Sequence, residues 1–140
     1  LRDRVTLHGF VAREQVEAAY AAADVFLFPS YREPGGIVVA EAMSYGLPAI
    51  VCARGGPADT VDDRSGIRVA PDGEPAYERA LADALGRLVH DRGLRLSLGD
   101  GARTRIEQIG LWDTKADALD RIYDEVLDAV RPRSEARENA

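Results

Sequence analysis

The amino-acid sequence predicts a doubly wound α/β fold, in which helices cover both faces of a parallel sheet. Four short runs rich in valine, isoleucine, leucine and phenylalanine have the length of strands and lie between turn signals: residues 5–8, 25–28, 49–52 and 67–69. These runs are continuously apolar rather than alternating, which is typical of parallel strands buried on both faces. Segments with helical spacing separate the first three runs, as strand-helix-strand units require.

The helices follow from the spacing of apolar residues. Residues 13–23 place Val16, Ala19 and Tyr20 on one face, and residues 37–45 form a second helix that we expect to end at Gly46. After residue 69 no further strand run occurs, and three apolar faces predict three consecutive helices. We expect Trp112 to pack as an anchor before the last of them.

Composition bounds the class of protein. The 140 residues are 46% apolar and 30% charged, as in one soluble globular domain. A net charge of -6 argues against a nucleic-acid partner. A single cysteine and two histidines cannot form an internal disulfide or a Cys/His zinc site, and they favour a cytoplasmic location. No apolar run reaches the roughly 20 residues of a membrane span.

The segment that carries chemistry covers residues 29–50. It leaves the second predicted strand and opens into a helix at Ile37, at the edge of the sheet where parallel folds bind ligands. Gly35 and Gly36 bring no side chain to this helix start, so a ligand can reach its backbone N–H groups. We therefore predict an anion site, with phosphate as the usual occupant. The alternative is that the glycines only form a tight turn.

Two carboxylates flank the predicted anion site. Glu33 lies in the loop and Glu41 lies eight positions later, inside the helix. Because carboxylates repel phosphate, we expect them to accept hydrogen bonds from neutral hydroxyls, which suits a nucleotide sugar. The structural alternatives are a loop acid paired with Arg32 and a surface helix position. An acid-base pair of the hydrolase type is a rival, although hydrolases need no phosphate cradle.

The spacing and its surroundings resemble a known family. Glu33, seven residues and Glu41, followed by Ala42, Met43, Gly46 and Pro48, are similar to the E-x7-E signature of retaining glycosyltransferases of the GT-B fold, family 4, or glycosyl transferases group 1. Upstream, the runs VTLHGFV and AAADVFLFPS resemble strands of that family. The resemblance extends to about residue 130.

The resemblance implies a Rossmann-like parallel sheet with flanking helices that ends in three helices. Residues 1–130 would form the C-terminal, nucleotide-sugar-binding part of a GT-B enzyme, and residues 131–140 a disordered polar tail. The parent enzyme would be a hexosyltransferase whose N-terminal half is absent from this chain. It would use a nucleotide-diphospho-sugar as substrate without a further cofactor, and no metal requirement is inferred.

The resemblance also implies roles for individual residues. Glu33 would be the catalytic residue, in contact with hydroxyls of the transferred sugar, and Glu41 would hold the ribose. The backbone amides that would meet the pyrophosphate or the sugar are those of Gly35, Gly36 and Ile37. The base would rest at residues 9–11, which include Phe10. The family commonly has phenylalanine where this chain has Gly35, which points to a different sugar selectivity.

Several expectations concern the chain by itself. Its one lysine, Lys115, lies far along the sequence from the predicted crevice, where Arg32 and Arg54 are the nearest cations. We therefore expect no sugar transfer and only weak nucleotide binding from this chain alone. An unpaired edge of its sheet predicts self-association. We expect His8 to be a packed strand residue. The parent is expected to be cytoplasmic or peripheral at the membrane.

Two functions compete with sugar transfer. The first is a non-catalytic module that binds a nucleotide sugar or a protein partner on the same fold. The second is a GT-B enzyme that epimerises nucleotide sugars, which the context of the two glutamates disfavours. The sequence upstream of Leu1 would separate these functions best, because basic residues that grip a diphosphate support transfer.

Overall fold

The computed structural model describes residues 2–130 of the chain. After a short 3-10 helix at Arg2–Arg4, the elements follow in the order α1 (Arg13–Ala22), β1 (Phe26–Phe28), α2 (Ile37–Ser44), β2 (Ala49–Cys52), α3 (Gly56–Thr60), β3 (Gly66–Val69), α4 (Glu74–His90), α5 (Arg92–Ile109) and α6 (Trp112–Val130). The three helices predicted after residue 69 are confirmed. The predicted tail at residues 131–140 lies outside the described residues.

The strands form one parallel sheet in the order β1-β2-β3. Phe26 of β1 pairs with Ala49 of β2, and Ile50 of β2 pairs with Ile67 of β3. α2 connects β1 to β2, and α3 connects β2 to β3. The predicted parallel α/β architecture is therefore confirmed for these three strands. α3 was not predicted, because its five residues are too short to show an apolar period.

The prediction of a first strand at residues 5–8 is wrong. These residues belong to no strand among those that the structure describes, and the side chains of Val5 and Leu7 are 58% and 91% exposed. His8 is exposed as well, so it is not the packed strand residue that we expected. An apolar run becomes a strand only when a neighbouring strand pairs with its backbone and covers its side chains, and neither happens here.

Two hydrophobic cores lie on the two faces of the sheet. Alternation along β2 sends Ile50 and Cys52 to one face and Ala49 and Val51 to the other. The first core includes residues of α4 and α5. The second core includes residues of α2 and α5, together with Val61 after α3. All four β2 residues are fully buried, as the continuous apolar run predicted.

α5 passes close to the amino-terminal ends of the strands. A Cβ atom on Gly99 would lie 2.5 Å from the carbonyl oxygen of Gly46, three residues before β2 begins at Ala49. A Cβ atom on Gly101 would collide with the carbonyl oxygen of Arg64, which precedes β3. α5 also contributes Leu98 to the first core and Ala102 to the second. It therefore contacts both cores from the edge opposite the carboxyl ends of the strands.

The chain divides into two compact units, Leu1–Ile106 and Glu107–Ala140. In the second unit, α6 carries an apolar stripe with helical spacing whose side chains are each more than half exposed: Leu119, Ile122, Tyr123, Val126 and Leu127. Trp112 is 84% exposed, so the prediction of a packing anchor is wrong. Its ring instead contacts the ammonium group of Lys115, 5.5 Å from the ring centroid. The amphipathic indole serves here as an exposed partner for a cation.

Candidate functional site

The turn between β1 and α2 requires glycine at its last position. Gly36 caps the N-terminus of α2 in the left-handed conformation, with φ of 68°. A Cβ atom there would also lie 2.8 Å from Cγ of Pro57. Because of both the positive φ angle and the close approach, any larger residue at position 36 would strain the local backbone. Ile37 follows as the first residue of α2, and its side chain is exposed.

The carboxylate of Glu33 folds back onto this turn. Its Oε1 accepts hydrogen bonds from the backbone N–H groups of Gly36 at 2.8 Å and Gly35 at 3.0 Å. The N–H groups of Gly36 and Gly35 lower the pKa of Glu33, so the carboxylate stays ionised near neutral pH. Two of the amides predicted to face a ligand thus donate to a side chain of the same loop in this structure.

A second glycine pair holds the Glu33 loop in place. The N–H of Gly56 donates to the carbonyl oxygen of Pro34 at 3.1 Å. A Cβ atom on Gly55 would lie 2.5 Å from the carbonyl oxygen of Glu33. The loop before α3 therefore packs directly against the loop before α2. The signal available in the sequence was Gly-Gly-Pro, since proline is favoured in the first turn of a helix.

Glu41 lies in the second turn of α2, on the lining of a cleft of about 510 Å³. The same cleft is lined by Phe10, Arg13, Tyr20 and Tyr45. The Glu41 side chain is 36% exposed, and its Oε1 lies 3.9 Å from Nη1 of Arg13. Burial, and then the nearby Glu41 carboxylate, raise the pKa of the Tyr20 hydroxyl. The carboxylate of Glu41 is therefore partly exposed and lines the cleft from α2.

The structure thus brings two predicted site residues, Phe10 and Glu41, to one cleft. Glu33 and its glycine turn lie at the other end of the same α2 segment, before the helix begins. Sequence reasoning missed Arg13 and Tyr20. Arg13 also pairs with Glu17 at 2.8 Å, and in the sequence this looks like an ordinary i,i+4 surface pair.

A second cavity, of about 580 Å³, opens at the carboxyl ends of the strands. Residues that follow β1, β2 and β3 line it together with the first turns of α4: Pro29, Tyr31, Arg54, Pro71, Glu74, Tyr77 and Glu78. The hydroxyl of Tyr77 donates to the carbonyl oxygen of Pro29 at 3.0 Å, and burial raises the pKa of this tyrosine. Sequence reasoning did not predict this cavity.

The described residues contain no cluster of three or more histidine, cysteine, aspartate or glutamate side chains that could hold a metal ion. Within residues 2–130, no helix combines the length and the hydropathy needed to cross a membrane. Cys52 is fully buried in β2, as predicted for a small apolar residue.

Comparison with known proteins gives a family match over most of the chain. The model of the glycosyl transferases group 1 family matches residues 1–105. A D-inositol 3-phosphate glycosyltransferase from Xylanimonas cellulosilytica is 41% identical over 124 residues, which are 88% of this chain and 28% of that protein. The protein of the same name from Salinispora arenicola is 38% identical, over 86% of this chain and 26% of its own length.

Solved structures give the same result for the fold. Sucrose-phosphate synthase from Thermosynechococcus elongatus has a TM-score of 0.73 and 35% identity, over 91% of this chain and 31% of that structure. WaaG, a glycosyltransferase of lipopolysaccharide biosynthesis, has a TM-score of 0.65 and 33% identity, over 82% of this chain and 30% of that structure. The predicted fold class, part of a GT-B domain, is confirmed. The chain spans between a quarter and a third of the length of these proteins.

Proposed function

Since this chain belongs to the glycosyl transferases group 1 family, we propose that it forms the donor-binding C-terminal part of a retaining glycosyltransferase. Residues 1–130 would carry this domain, and the transferred group would be a hexose taken from a nucleotide-diphospho-sugar. The observation that carries the proposal is the placement of Glu41 and Phe10 in one cleft at α2, with the carboxylate of Glu33 at the start of the same helix.

The cleft at Glu41 suits a nucleoside. A half-buried carboxylate accepts hydrogen bonds from paired ribose hydroxyls more strongly than a neutral acceptor does. The exposed ring of Phe10 offers a flat apolar surface to a base. The contact of Glu41 with Arg13 is long and largely exposed, so it competes little with a bound ribose.

The turn at Glu33 suits the transferred sugar. Oε1 of Glu33 is held by the two glycine amides, which fixes the orientation and the charge of the carboxylate. A carboxylate has two oxygens with several lone pairs, so a sugar hydroxyl can donate to Glu33 while the glycine contacts remain. In this arrangement Gly35 and Gly36 position the catalytic glutamate, and they reach the ligand only if Glu33 turns away.

The pyrophosphate would then lie between the two carboxylates, near the amide of Ile37 and the positive end of the α2 dipole. In the reaction, the bond between the anomeric carbon and the phosphate oxygen breaks while the acceptor oxygen bonds to that carbon on the same face. The acceptor proton passes to the departing phosphate. Charge on the leaving group is stabilised electrostatically, and no protein nucleophile is assigned.

A substitution at Glu41 tests donor binding. In the full-length protein that contains this chain, we expect Glu41→Gln to weaken binding of UDP or GDP by about 10- to 100-fold, because it removes a charge-assisted hydrogen bond of roughly 1.5 to 3 kcal/mol. Isothermal titration calorimetry measures this change. The matched control is Glu14→Gln on the exposed side of α1, which leaves the affinity unchanged. Equal affinities for the wild type and Glu41→Gln would remove Glu41 from the site.

The names of the relatives direct the search for an acceptor. Relatives that share about two fifths of their matched residues with this chain are named D-inositol 3-phosphate glycosyltransferases. D-inositol 3-phosphate is therefore the first acceptor that we propose to assay with the full-length protein. Transfer to it from a nucleotide sugar would identify both the reaction and the acceptor.

A further inference from the structure

We infer that the backbone amide of Gly56 positions the catalytic carboxylate of Glu33, and that it acts through one peptide group, the one that joins Pro34 to Gly35. Gly56 is a positioning residue, since it acts on the reaction only through Glu33. The inference rests on the proposed function for the catalytic role of Glu33, whereas the coupling between the two loops stands on their geometry alone.

The peptide group between Pro34 and Gly35 is hydrogen-bonded at both of its ends. Its carbonyl oxygen, on Pro34, accepts a hydrogen bond from the N–H of Gly56 at 3.1 Å. Its N–H, on Gly35, donates to Oε1 of Glu33 at 3.0 Å. Because a peptide group is planar and rigid, its C=O and N–H turn together. The bond from Gly56 therefore also fixes the direction in which the Gly35 N–H meets the carboxylate.

Glycine at position 35 makes this constraint necessary. A residue without a Cβ atom adopts positive and negative φ angles about equally, so the peptide group before Gly35 can rotate at little steric cost. Rotation would turn the N–H of Gly35 away from Glu33 and bring the carbonyl oxygen of Pro34 toward it. An ionised carboxylate only accepts hydrogen bonds, so it would lose this contact. The hydrogen bond from Gly56 to Pro34 opposes the rotation.

The contact between the two loops requires glycine at position 56. A Cβ atom there would collide with the carbonyl oxygens of Pro34 and Gly35. Both oxygens belong to the backbone, so the loops would have to separate and the hydrogen bond from Gly56 would lengthen. Alanine at position 56 therefore releases the peptide group without removing any atom from Glu33 or from the glycine turn.

The helix that carries Gly56 is itself fixed at both ends. Gly56 begins α3, and the side chain of the next residue, Pro57, is fully buried. The ring of Pro57 lies against Gly36, since a Cβ atom on that glycine would come within 2.8 Å of Cγ of the proline. At the other end of α3, Nε of Arg105 donates to the carbonyl oxygen of Thr60 at 3.2 Å. α3 is thus tied to α5, and it gives the Glu33 loop a rigid support.

The test measures turnover and backbone exchange in the full-length protein, with UDP-glucose as the donor and D-inositol 3-phosphate as the acceptor. We expect Gly56→Ala to lower kcat by about 10- to 100-fold, since a misplacement of about 1 Å can cost on the order of 100-fold in rate. The affinity for UDP, measured by calorimetry, should stay unchanged. Hydrogen-exchange mass spectrometry should show several-fold faster exchange within residues 30–40, because the amides of Gly35 and Gly36 lose a fixed acceptor.

A double-mutant cycle separates positioning from a general structural role. If Gly56 acts only through Glu33, Gly56→Ala should lower kcat strongly in the wild type and hardly at all in the Glu33→Ala variant. Gly101→Ala is the matched control, because its added methyl group also meets a backbone carbonyl oxygen, that of Arg64, but at the amino-terminal ends of the strands. It should lower the thermal midpoint and leave both kcat and exchange within residues 30–40 unchanged.

Pro57→Ala covers the case in which Gly56→Ala does not fold. It removes the ring that lies against Gly36 without adding a clash, and it should raise exchange within residues 30–40 and lower kcat several-fold. Exchange that is unchanged in every variant that folds would overturn the inference, as would equal losses of kcat from Gly56→Ala with and without Glu33. Full turnover of Glu33→Ala, or no transfer by the wild type, would count against the proposed function instead. The exchange measurement needs no substrate and decides the coupling of the two loops by itself.

Discussion

Replacement of Glu33 by alanine is expected to lower the turnover of the full-length enzyme by about 10- to 100-fold, the loss that corresponds to a charged hydrogen bond of roughly 1.5 to 3 kcal/mol made in the transition state. The affinity for UDP should not fall. The reason lies in the turn, where removal of the carboxylate releases the N–H groups of Gly35 and Gly36. Both amides then become available to a phosphate oxygen.

Two further variants separate the roles of Glu33. Glu33→Gln keeps an oxygen that can accept from the glycine amides but removes the negative charge, so the turn persists while contact with the sugar weakens. Glu14→Ala on the exposed side of α1 is the control and should leave turnover unchanged. Initial rates with a nucleotide sugar and UDP calorimetry provide the two measurements. Equal losses of turnover and of UDP affinity in Glu33→Ala would contradict the division between sugar and nucleotide.

The second large effect is expected at α5, far from the proposed site. Gly101→Ala would place a methyl group against the carbonyl oxygen of Arg64, and because backbone cannot rotate away, the helix must shift. We expect a loss of about 1 to 3 kcal/mol in the free energy of unfolding, the usual range for overpacking. Thermal unfolding should show a lower midpoint, by roughly 2 to 4 °C for each kcal/mol in a domain of this size.

Gly86→Ala provides the matched control for this substitution. Gly86 lies inside α4, and a Cβ atom built on it meets nothing within 4 Å. Alanine is the better helix former by about 1 kcal/mol, so this variant should be slightly more stable than the wild type. The same chemical change therefore has opposite signs in two helices. If the Gly101→Ala variant were as stable as the wild type, α5 would tolerate a larger separation from Arg64.

The parts of the fold that could be predicted are those with a local signal. The continuous apolar run at residues 49–52 predicts a buried strand, and it forms the central strand of the sheet. The run at residues 5–8 carries an equally strong signal, yet it pairs with no strand in the described part of the chain. The apolar composition of a segment indicates that it can be buried in a sheet. Whether it pairs depends on a neighbouring strand that lies beside it.

The candidate site shows the same division. The sequence predicts Glu33 in the loop before α2 and Glu41 inside that helix, and the two residues occupy these positions in the structure. The hydrogen bonds from the glycine amides to Glu33 have no sequence signal, because a loop side chain can adopt many rotamers. The cavity at the strand ends joins residues between Pro29 and Leu81, and only the parallel connection of three strands brings them together.

The burial of Cys52 gives this chain a native reporter of local opening. It is the one thiol in the 140 residues, it lies in the central strand, and no solvent reaches it in the folded state. A thiol-specific reagent can react with it only after the layer formed by α4 separates from the sheet. Tyr77, which interacts with Cys52, also lines the cavity at the strand ends. The labelling rate of this cysteine would therefore report how often α4 separates from the sheet beside that cavity, without any engineered probe.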